Sequence, residues 1–229
     1  MNTKYILKTN HVKRFFPIAG GENFYALKDI SIKIPEGSMT ILRGRSGSGK
    51  TTLMNILGAL DKPNEGEVFF DDQNIVTMNE KQREIIRRNS IGFVFQSVSL
   101  IPMMTAYENV EYALRLAGIK ENRKKRTEEC LKLVGLTQRM HHMPQELSGG
   151  EQQRVAIARA IAHKPKVIFA DEPTAELDSN TGLQIIKIFK DLIMAEGVTI
   201  VMTTHDVSIM GAGDVVYELG DGEIINGNE

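Results

Sequence analysis

Residues Gly44–Thr52 read GRSGSGKTT. They fit the pattern G-x-x-x-x-G-K-[ST], with Gly44, Gly49, Lys50 and Thr51 at the fixed positions. Apolar Met39–Leu42 (MTIL) precedes them and predicts a short buried strand; the residues from Thr52 to Leu60 predict a helix. Strand, glycine-rich loop and helix are the context in which this pattern acquires meaning. Glycines let the backbone wrap closely around an anion and turn N–H groups inward. The helix N-terminus adds partial positive charge. The loop residues Gly44, Arg45, Ser46, Gly47, Ser48, Gly49, Lys50, Thr51 and Thr52 are therefore expected to hold the phosphates of a nucleotide. Lys50 brings a full charge to the β- and γ-phosphates, and the Thr51 hydroxyl is placed to ligate Mg²⁺. An ordinary Gly/Ser turn capping a helix would not satisfy all four positions and both flanks.

The chain has 229 residues, enough for one large α/β domain. Acidic and basic residues nearly cancel, for a formal net charge of −1, so no nucleic-acid partner is expected. The one cysteine, Cys130, cannot form an internal disulfide, which fits a reducing compartment; a buried place on a helix is expected for it. No apolar run approaches the roughly 20 residues that span a bilayer. The N-terminus lacks the apolar core of a signal peptide. A soluble cytoplasmic protein is expected, acting at a membrane only through a partner.

Tyr5–Val12 predicts an edge strand, followed by a loop holding Phe15, Phe16, Pro17, Gly20 and Gly21. Tyr25–Ile34 alternates as a half-exposed strand, Pro35-Glu36-Gly37 and Lys62–Gly66 are turns, and Glu67–Phe70 is a strand. This first portion is rich in antiparallel β signal. Asn79–Asn89 predicts a charged helix, and Ile91–Phe95 a strand ending at Gln96. Helices are expected over Thr105–Ala117, with Thr105 and Glu108 as a capping box, over Asn122–Val134 and over Glu151–Ala162. The run Arg123-Lys124-Lys125-Arg126 reads as a solvated helix face in preference to a phosphate or lipid patch.

Lys166–Ala170 (KVIFA) has the continuous apolar character of a central parallel strand. Ser179–Glu196 predicts a long helix capped by Asp178 or Ser179, and Val198–Thr203 a buried strand. Val215–Leu219 and Glu223–Ile225 form a closing hairpin. Strands alternating with helices predict an α/β fold with a doubly wound parallel sheet. The expected organisation is a single domain, 1–229, with 1–95 and 164–229 as nucleotide-binding core and 96–163 as a helical insertion.

Asp171 and Glu172 stand at the C-terminal end of the KVIFA strand, where open α/β sheets bind ligands. Asp171 is expected to hold Mg²⁺, directly or through water, and Glu172 to orient or deprotonate the attacking water. His205, just past Val198–Thr203, is placed for a γ-phosphate contact. Gln96 can reach Mg²⁺ or the water with its amide oxygen. Ser148-Gly149-Gly150 open a helix and form a second anion-binding device. Two such devices far apart in one chain are explained by a symmetric dimer, each ATP lying between the first device of one copy and the second of the other.

LSGGEQQR, GRSGSGKTT, FQS at Gln96, FADEP at Asp171–Pro173, AELD at Asp178 and TTHD at His205 stand in the order seen in ATP-binding-cassette (ABC) ATPases. The chain resembles that family over nearly its whole length. Its wording IGFVFQ…LIP…TAYENVE and ADEPTAELDSNTG is similar to the subgroup that serves lipoprotein-releasing, macrolide-efflux and antimicrobial-peptide-export systems. The resemblance implies a P-loop NTPase core with an N-terminal antiparallel portion and a helical insertion, binding ATP and Mg²⁺. It implies that Phe15 stacks on adenine, with Phe16 as the alternative. It implies that Ser148, Gly149 and Gly150 hold the partner copy's γ-phosphate, and that Asp178 acts across the dimer seam.

The family further implies a transmembrane permease, with this chain peripheral on the inner face of the cell membrane through it. Leu100–Met104 would either dock that permease or be buried in the helical lobe. Two departures stand out: Glu151 replaces the commoner Gln of the signature, and Glu176 stands where a small or amide residue is more usual. The expected function is ATP hydrolysis that drives a separate permease in efflux or extraction of an antimicrobial, peptide or lipoprotein-like cargo. The rivals are a soluble ABC ATPase working on nucleic acid or ribosomes, for which the chain lacks tandem cassettes, sustained heptads and zinc-binding cysteines, and mechanical signalling without transport.

Overall fold

Along the chain come strands β1 (Tyr5–Pro17), β2 (Asn23–Ile30), β3 (Lys33–Pro35) and β4 (Met39–Arg43), helix α1 (Lys50–Leu57), β5 (Glu65–Phe70), β6 (Gln73–Asn74) and helix α2 (Glu80–Ser90). They are followed by β7 (Ile91–Val94), α3 (Ala106–Leu116), α4 (Arg123–Leu133), α5 (Gly149–Ile161), β8 (Val167–Asp171), α6 (Ser179–Glu196), β9 (Thr199–Thr204), β10 (Val215–Gly220) and β11 (Glu223–Asn228). This computed structural model describes residues 3–228. The chain divides into two compact units, Met1–Arg87 with Val201–Glu229, and Arg88–Ile200. The boundaries fall within α2 and β9.

In the first unit β1 lies inside an antiparallel sheet of order β2-β1-β5-β6, with β3 also on β1. It is not the expected edge strand: Leu7 pairs with Ile34 on one side and Phe70 on the other. β1 also continues through Phe15 and Phe16, which pair with Tyr25 and Phe24. The loop expected there begins only after Pro17. Tyr25–Ile34 is not one strand but two. The buried Thr9 hydroxyl donates to Ile30 O at 3.0 Å and accepts from Ile32 N–H at 2.9 Å, so one side chain satisfies the backbone where the strand breaks.

The remaining strands of this unit run in the order β11-β10-β4-β9. β10 is parallel to β4 and antiparallel to β11. Tyr217 of β10 donates its hydroxyl to Lys33 O at 2.8 Å and accepts from Lys33 N–H at 3.2 Å, joining this sheet to β3. α1 starts two residues before the expected Thr52 and ends at Leu57, short of Leu60. Ala59 beyond it has φ +58°. Its carbonyl accepts from Arg83 at 2.7 Å and Arg87 at 2.8 Å, so two arginines of the charged helix α2 hold the turn that ends α1.

In the second unit β7 and β8 pair in parallel, and Thr199 N–H donates to Lys166 O at 2.9 Å. The mixed parallel and antiparallel pairing is that of an α/β fold. Val167–Ala170 are fully buried, as the apolar run requires. α5 approaches β7 so closely that a Cβ on Gly92 would lie 2.4 Å from Ala160 O. The capping box of α3 forms as expected: Thr105 Oγ1 accepts from Glu108 N–H, and Glu108 accepts from Thr105 N–H. Asp178, not Ser179, caps α6. Cys130 is buried on α4, and burial pushes its thiol up to about 11.

The basic run on α4 is only partly a solvated face. Lys124 and Lys125 are exposed. Arg123 pairs with Glu111 at 3.1 Å. Arg126 donates to Ala162 O and Ile161 O, each at 3.0 Å, and pairs with Glu196 at 2.8 Å. It thereby satisfies the last carbonyls of α5, which have no partner within that helix.

Candidate nucleotide site

β4 delivers the glycine-rich loop at its end. Gly44 has φ +155°, and a Cβ there would lie 2.4 Å from Leu219 O. Gly49 has φ +102°, and a Cβ there would lie 2.6 Å from Ala26 O of β2. Both positions exclude a side chain by conformation and by space. Behind the loop, Gly222 N–H donates to Ser48 O at 3.2 Å, and Lys28 N–H to Gly222 O at 2.8 Å. The β10–β11 turn and β2 thus brace the loop from outside. The tie through Gly222 joins residues almost two hundred positions apart and has no local signature in the sequence.

Lys50 is 5% exposed and curls over the loop, with Nζ donating to Gly44 O at 2.8 Å and Arg45 O at 3.1 Å. Arg45, Ser46, Gly47 and Thr51 are exposed, while Gly44, Gly49 and Thr52 are half-buried. Ser48 Oγ is buried without a hydrogen-bond partner. α1 has no side-chain cap and no acid in its first turn, so its N-terminal field is left for a ligand. A lysine, uncapped N–H groups and an unsatisfied hydroxyl form a donor set suited to a polyphosphate.

Phe15 is half-buried in β1. Its ring lies 5.2 Å from that of Tyr25 at 48°, and its N–H donates to Asn64 Oδ1 at 3.0 Å. Phe16 is exposed, with the Arg14 guanidinium 4.4 Å from its ring centroid. Arg14 is in turn held by both carboxylate oxygens of Asp61. Tyr25 immediately precedes Ala26, the residue against Gly49, so β2 connects the Phe15 face to the phosphate loop. His205 follows β9 in the same unit and is exposed.

The second unit carries the other candidates. Asp171 ends β8, and Glu172 follows with φ +44°. A left-handed glutamate is an unfavourable conformation that the surrounding turn must hold, and such residues gather at functional sites. Ala175 N–H closes that turn on Glu172 O at 3.1 Å. Gln96 is exposed just beyond β7. Among the described residues no cluster of three or more His, Cys, Asp and Glu could hold a metal by itself. Thr51, Gln96 and Asp171 are oxygen donors, the kind Mg²⁺ takes when substrate phosphates complete its shell.

Ser148, Gly149, Gly150 and Asp178 meet in one cleft of about 470 Å³, which Arg154 and Glu176 also line. Ser148 caps α5 and Asp178 caps α6, so two helix N-termini converge here. A Cβ on Gly150 would lie 2.5 Å from Thr181 Cγ2 of α6, which explains that glycine. Asp178 accepts from Asn180 N–H and Thr181 N–H, each at 3.1 Å, and from the Thr181 hydroxyl at 2.6 Å. These bonds hold its carboxyl below the usual carboxylate range, the Thr181 hydroxyl first among them. Arg154 and Thr181 were not singled out from the sequence; Arg154 lies within the quoted signature, and Thr181 is recognisable only as the third residue of a capped helix.

Fold and site define a phosphate-loop nucleotide-binding protein. A profile of the ABC transporter family matches residues 27–175. The chain belongs to that family. It is 46% identical over 224 residues to the uncharacterized ABC transporter ATP-binding protein MJ0796 of Methanocaldococcus jannaschii, covering 96% of this chain and 95% of that one. It is 43% identical to the macrolide export ATP-binding/permease protein MacB of Bartonella henselae, covering 97% of this chain but 34% of MacB. Among solved structures, a dimeric post-hydrolysis state of the MJ0796 cassette bound to ADP and Pi matches with TM-score 0.88 and 43% identity, covering 97% of this chain and 98% of that one. The chain is the ATP-binding subunit of an ABC transporter and hydrolyses ATP.

Proposed function

We propose that two copies of this chain close on two ATP molecules and, through hydrolysis, drive a separate permease that exports or extracts its cargo. The observation that carries this is the presence in one chain of two anion-ready devices, the uncapped α1 loop and the α5–α6 cleft. A symmetric dimer gives both a use on each nucleotide. The dimeric, ADP- and Pi-bound MJ0796 cassette supports it. MacB, named for macrolide export, supports an export direction. Among the described residues no helix is long and apolar enough to cross a membrane.

In this proposal residues Gly44–Thr52 cradle the phosphates, and Lys50 withdraws charge from the β- and γ-phosphates. Thr51, Gln96 and Asp171 hold Mg²⁺, which when bound neutralises phosphate charge. Glu172 takes the proton of the attacking water, oriented with the help of Gln96, and His205 contacts the γ-phosphate. Ser148, Gly149 and Gly150 close on the partner copy's γ-phosphate, with Asp178 at the seam.

Phe15 stacks on adenine, because Arg14 already lies over one face of Phe16 and Phe15 is braced by Tyr25. Phe15→Ala should weaken ATP binding by about 1–3 kcal/mol, the range for a base on an aromatic ring, while Phe15→Tyr keeps it. Titration with a fluorescent ATP analogue checks this; greater damage from Phe16→Ala would move the contact by one residue.

The Leu100–Met104 loop is neither wholly buried nor wholly exposed. Leu100, Ile101 and Met104 are half-buried, while Met103 is 87% exposed. Asn109, fully buried, donates to Met104 O at 2.9 Å and to Thr105 O at 3.1 Å and accepts from Ile101 N–H at 2.8 Å. Arg159 donates to Ser99 O at 2.7 Å. The loop is thus fixed from beneath and presents one large apolar side chain outward. Met103→Glu should leave the melting temperature and basal ATPase unchanged, since exposed substitutions usually stay within about 0.5 kcal/mol. Co-purification with the permease should be lost. Retained co-purification places the docking surface elsewhere.

A further inference from the structure

We propose that Glu151 competes with nucleotide phosphate for Ser148, and that Arg139 sets how strongly it does so. The inference rests on Ser148 being a phosphate contact and concerns what that contact must give up.

In the first turn of α5, Glu151 Oε2 accepts from Ser148 N–H at 2.9 Å and from the Ser148 hydroxyl at 3.0 Å. Glu151 N–H donates back to Ser148 Oγ at 3.3 Å. A hydroxyl has one proton to give. That proton, which a phosphate oxygen would need, is already donated to a carboxylate of the same turn. An arriving phosphate must displace Glu151 from Ser148 or bind without the hydroxyl.

Glu151 is also a full negative charge at the helix end where the phosphate would sit. Bonding from Ser148 N–H holds its carboxyl below the usual range, so it stays ionised near neutral pH. Two anions at one N-terminus repel. A glutamine could keep the Ser148 N–H bond through its amide oxygen while removing the charge. The other capping carboxylate of the cleft, Asp178, is engaged by Asn180 and Thr181 and makes no such grip on Ser148.

Arg139 is the counterweight. Its Nε donates to Glu151 Oε1 at 3.2 Å, and its Nη1 lies 3.2 Å from His142 Nε2. The segment that carries it is fixed to α3: Tyr107 N–H donates to Met140 O at 2.7 Å and Ala106 N–H to His142 O at 2.9 Å. Arg139 draws charge from Glu151 and offers it a partner other than Ser148. Glu151 and Arg139 are therefore positioning residues, acting on phosphate through Ser148.

The test uses the full chain with hydrolysis blocked by Glu172→Gln. The readout is the ATP concentration giving half-maximal dimer by sedimentation velocity, with Mg²⁺ present. Adding Glu151→Gln should lower it about three- to tenfold, the net scale of one competing hydrogen bond. Adding Arg139→Gln should raise it, and that rise should vanish when Glu151→Gln is also present, because Arg139 acts through Glu151. Melting temperatures without nucleotide separate any loss of capping from the effect on phosphate. A Glu151→Gln protein that needs as much ATP as its parent, or more, overturns the competition. So does an Arg139→Gln effect that persists without Glu151. Ser148→Ala in the same background should weaken the dimer. If it does not, Ser148 is no phosphate contact, and the underlying assignment fails separately from the competition.

Discussion

Glu172→Gln should bind ATP as tightly as the parent chain and hydrolyse it at least about 100-fold more slowly, the scale set by loss of a general base. Glutamine keeps the size and hydrogen-bonding reach of glutamate but not its charge or basicity. The backbone should be undisturbed, because Gln meets the same demand at φ +44° as Glu. The uncleaved γ-phosphate then keeps both copies engaged through their α5 N-termini. On gel filtration with ATP and Mg²⁺ the variant should run as a dimer, and without nucleotide as a monomer. Adding Ser148→Arg should abolish that dimer, since a bulky cation cannot enter a shared phosphate site. Hydrolysis at the parent rate would remove Glu172 from its role. Persistent monomer at high concentration with ATP bound would count against the shared site while leaving Glu172 in place.

Lys50→Ala should reduce ATP affinity by about 100-fold or more, the effect of removing roughly 3 kcal/mol of charge-assisted hydrogen bonding. Lys50 is buried, and its Nζ bridges the carbonyls of Gly44 and Arg45. The variant therefore loses both the point charge offered to phosphate and the strap across the loop. Lys50→Arg should not restore binding, because a planar guanidinium cannot take the place of a compact ammonium between two carbonyls 2.8 and 3.1 Å away. Calorimetric titration with ATP, alongside circular dichroism to confirm folding, gives the answer. Parent-like affinity in Lys50→Ala would remove the glycine-rich loop from the nucleotide site.

The sequence by itself determined whatever local chemistry settles. Gly44 and Gly49 mark where the chain turns close to other backbone. Thr105 with Glu108 starts a helix because one side chain and one backbone group satisfy each other within four residues. The apolar run KVIFA marks a buried strand because nothing polar in it needs water. Motif order then carried the family. Tertiary structure decided what depends on distant partners. β1 became an inner strand because β3 and β5 reach it from far along the chain. Phe15 and Phe16, neighbours with the same side chain, acquired different surroundings once β2 set Tyr25 beside one and Arg14 lay over one face of the other. Arg126 left the solvated face of α4 because the Ile161 and Ala162 carbonyls at the end of α5 and the Glu196 carboxylate take its guanidinium. Glu151 meets Ser148 within one turn, a capping box as local as that of Thr105 and Glu108, but the Arg139 that reaches Glu151 comes from outside the helix. Pattern reports a residue's neighbours along the chain; which donors and acceptors go unsatisfied, and which distant group reaches them, is fixed only when the chain closes on itself.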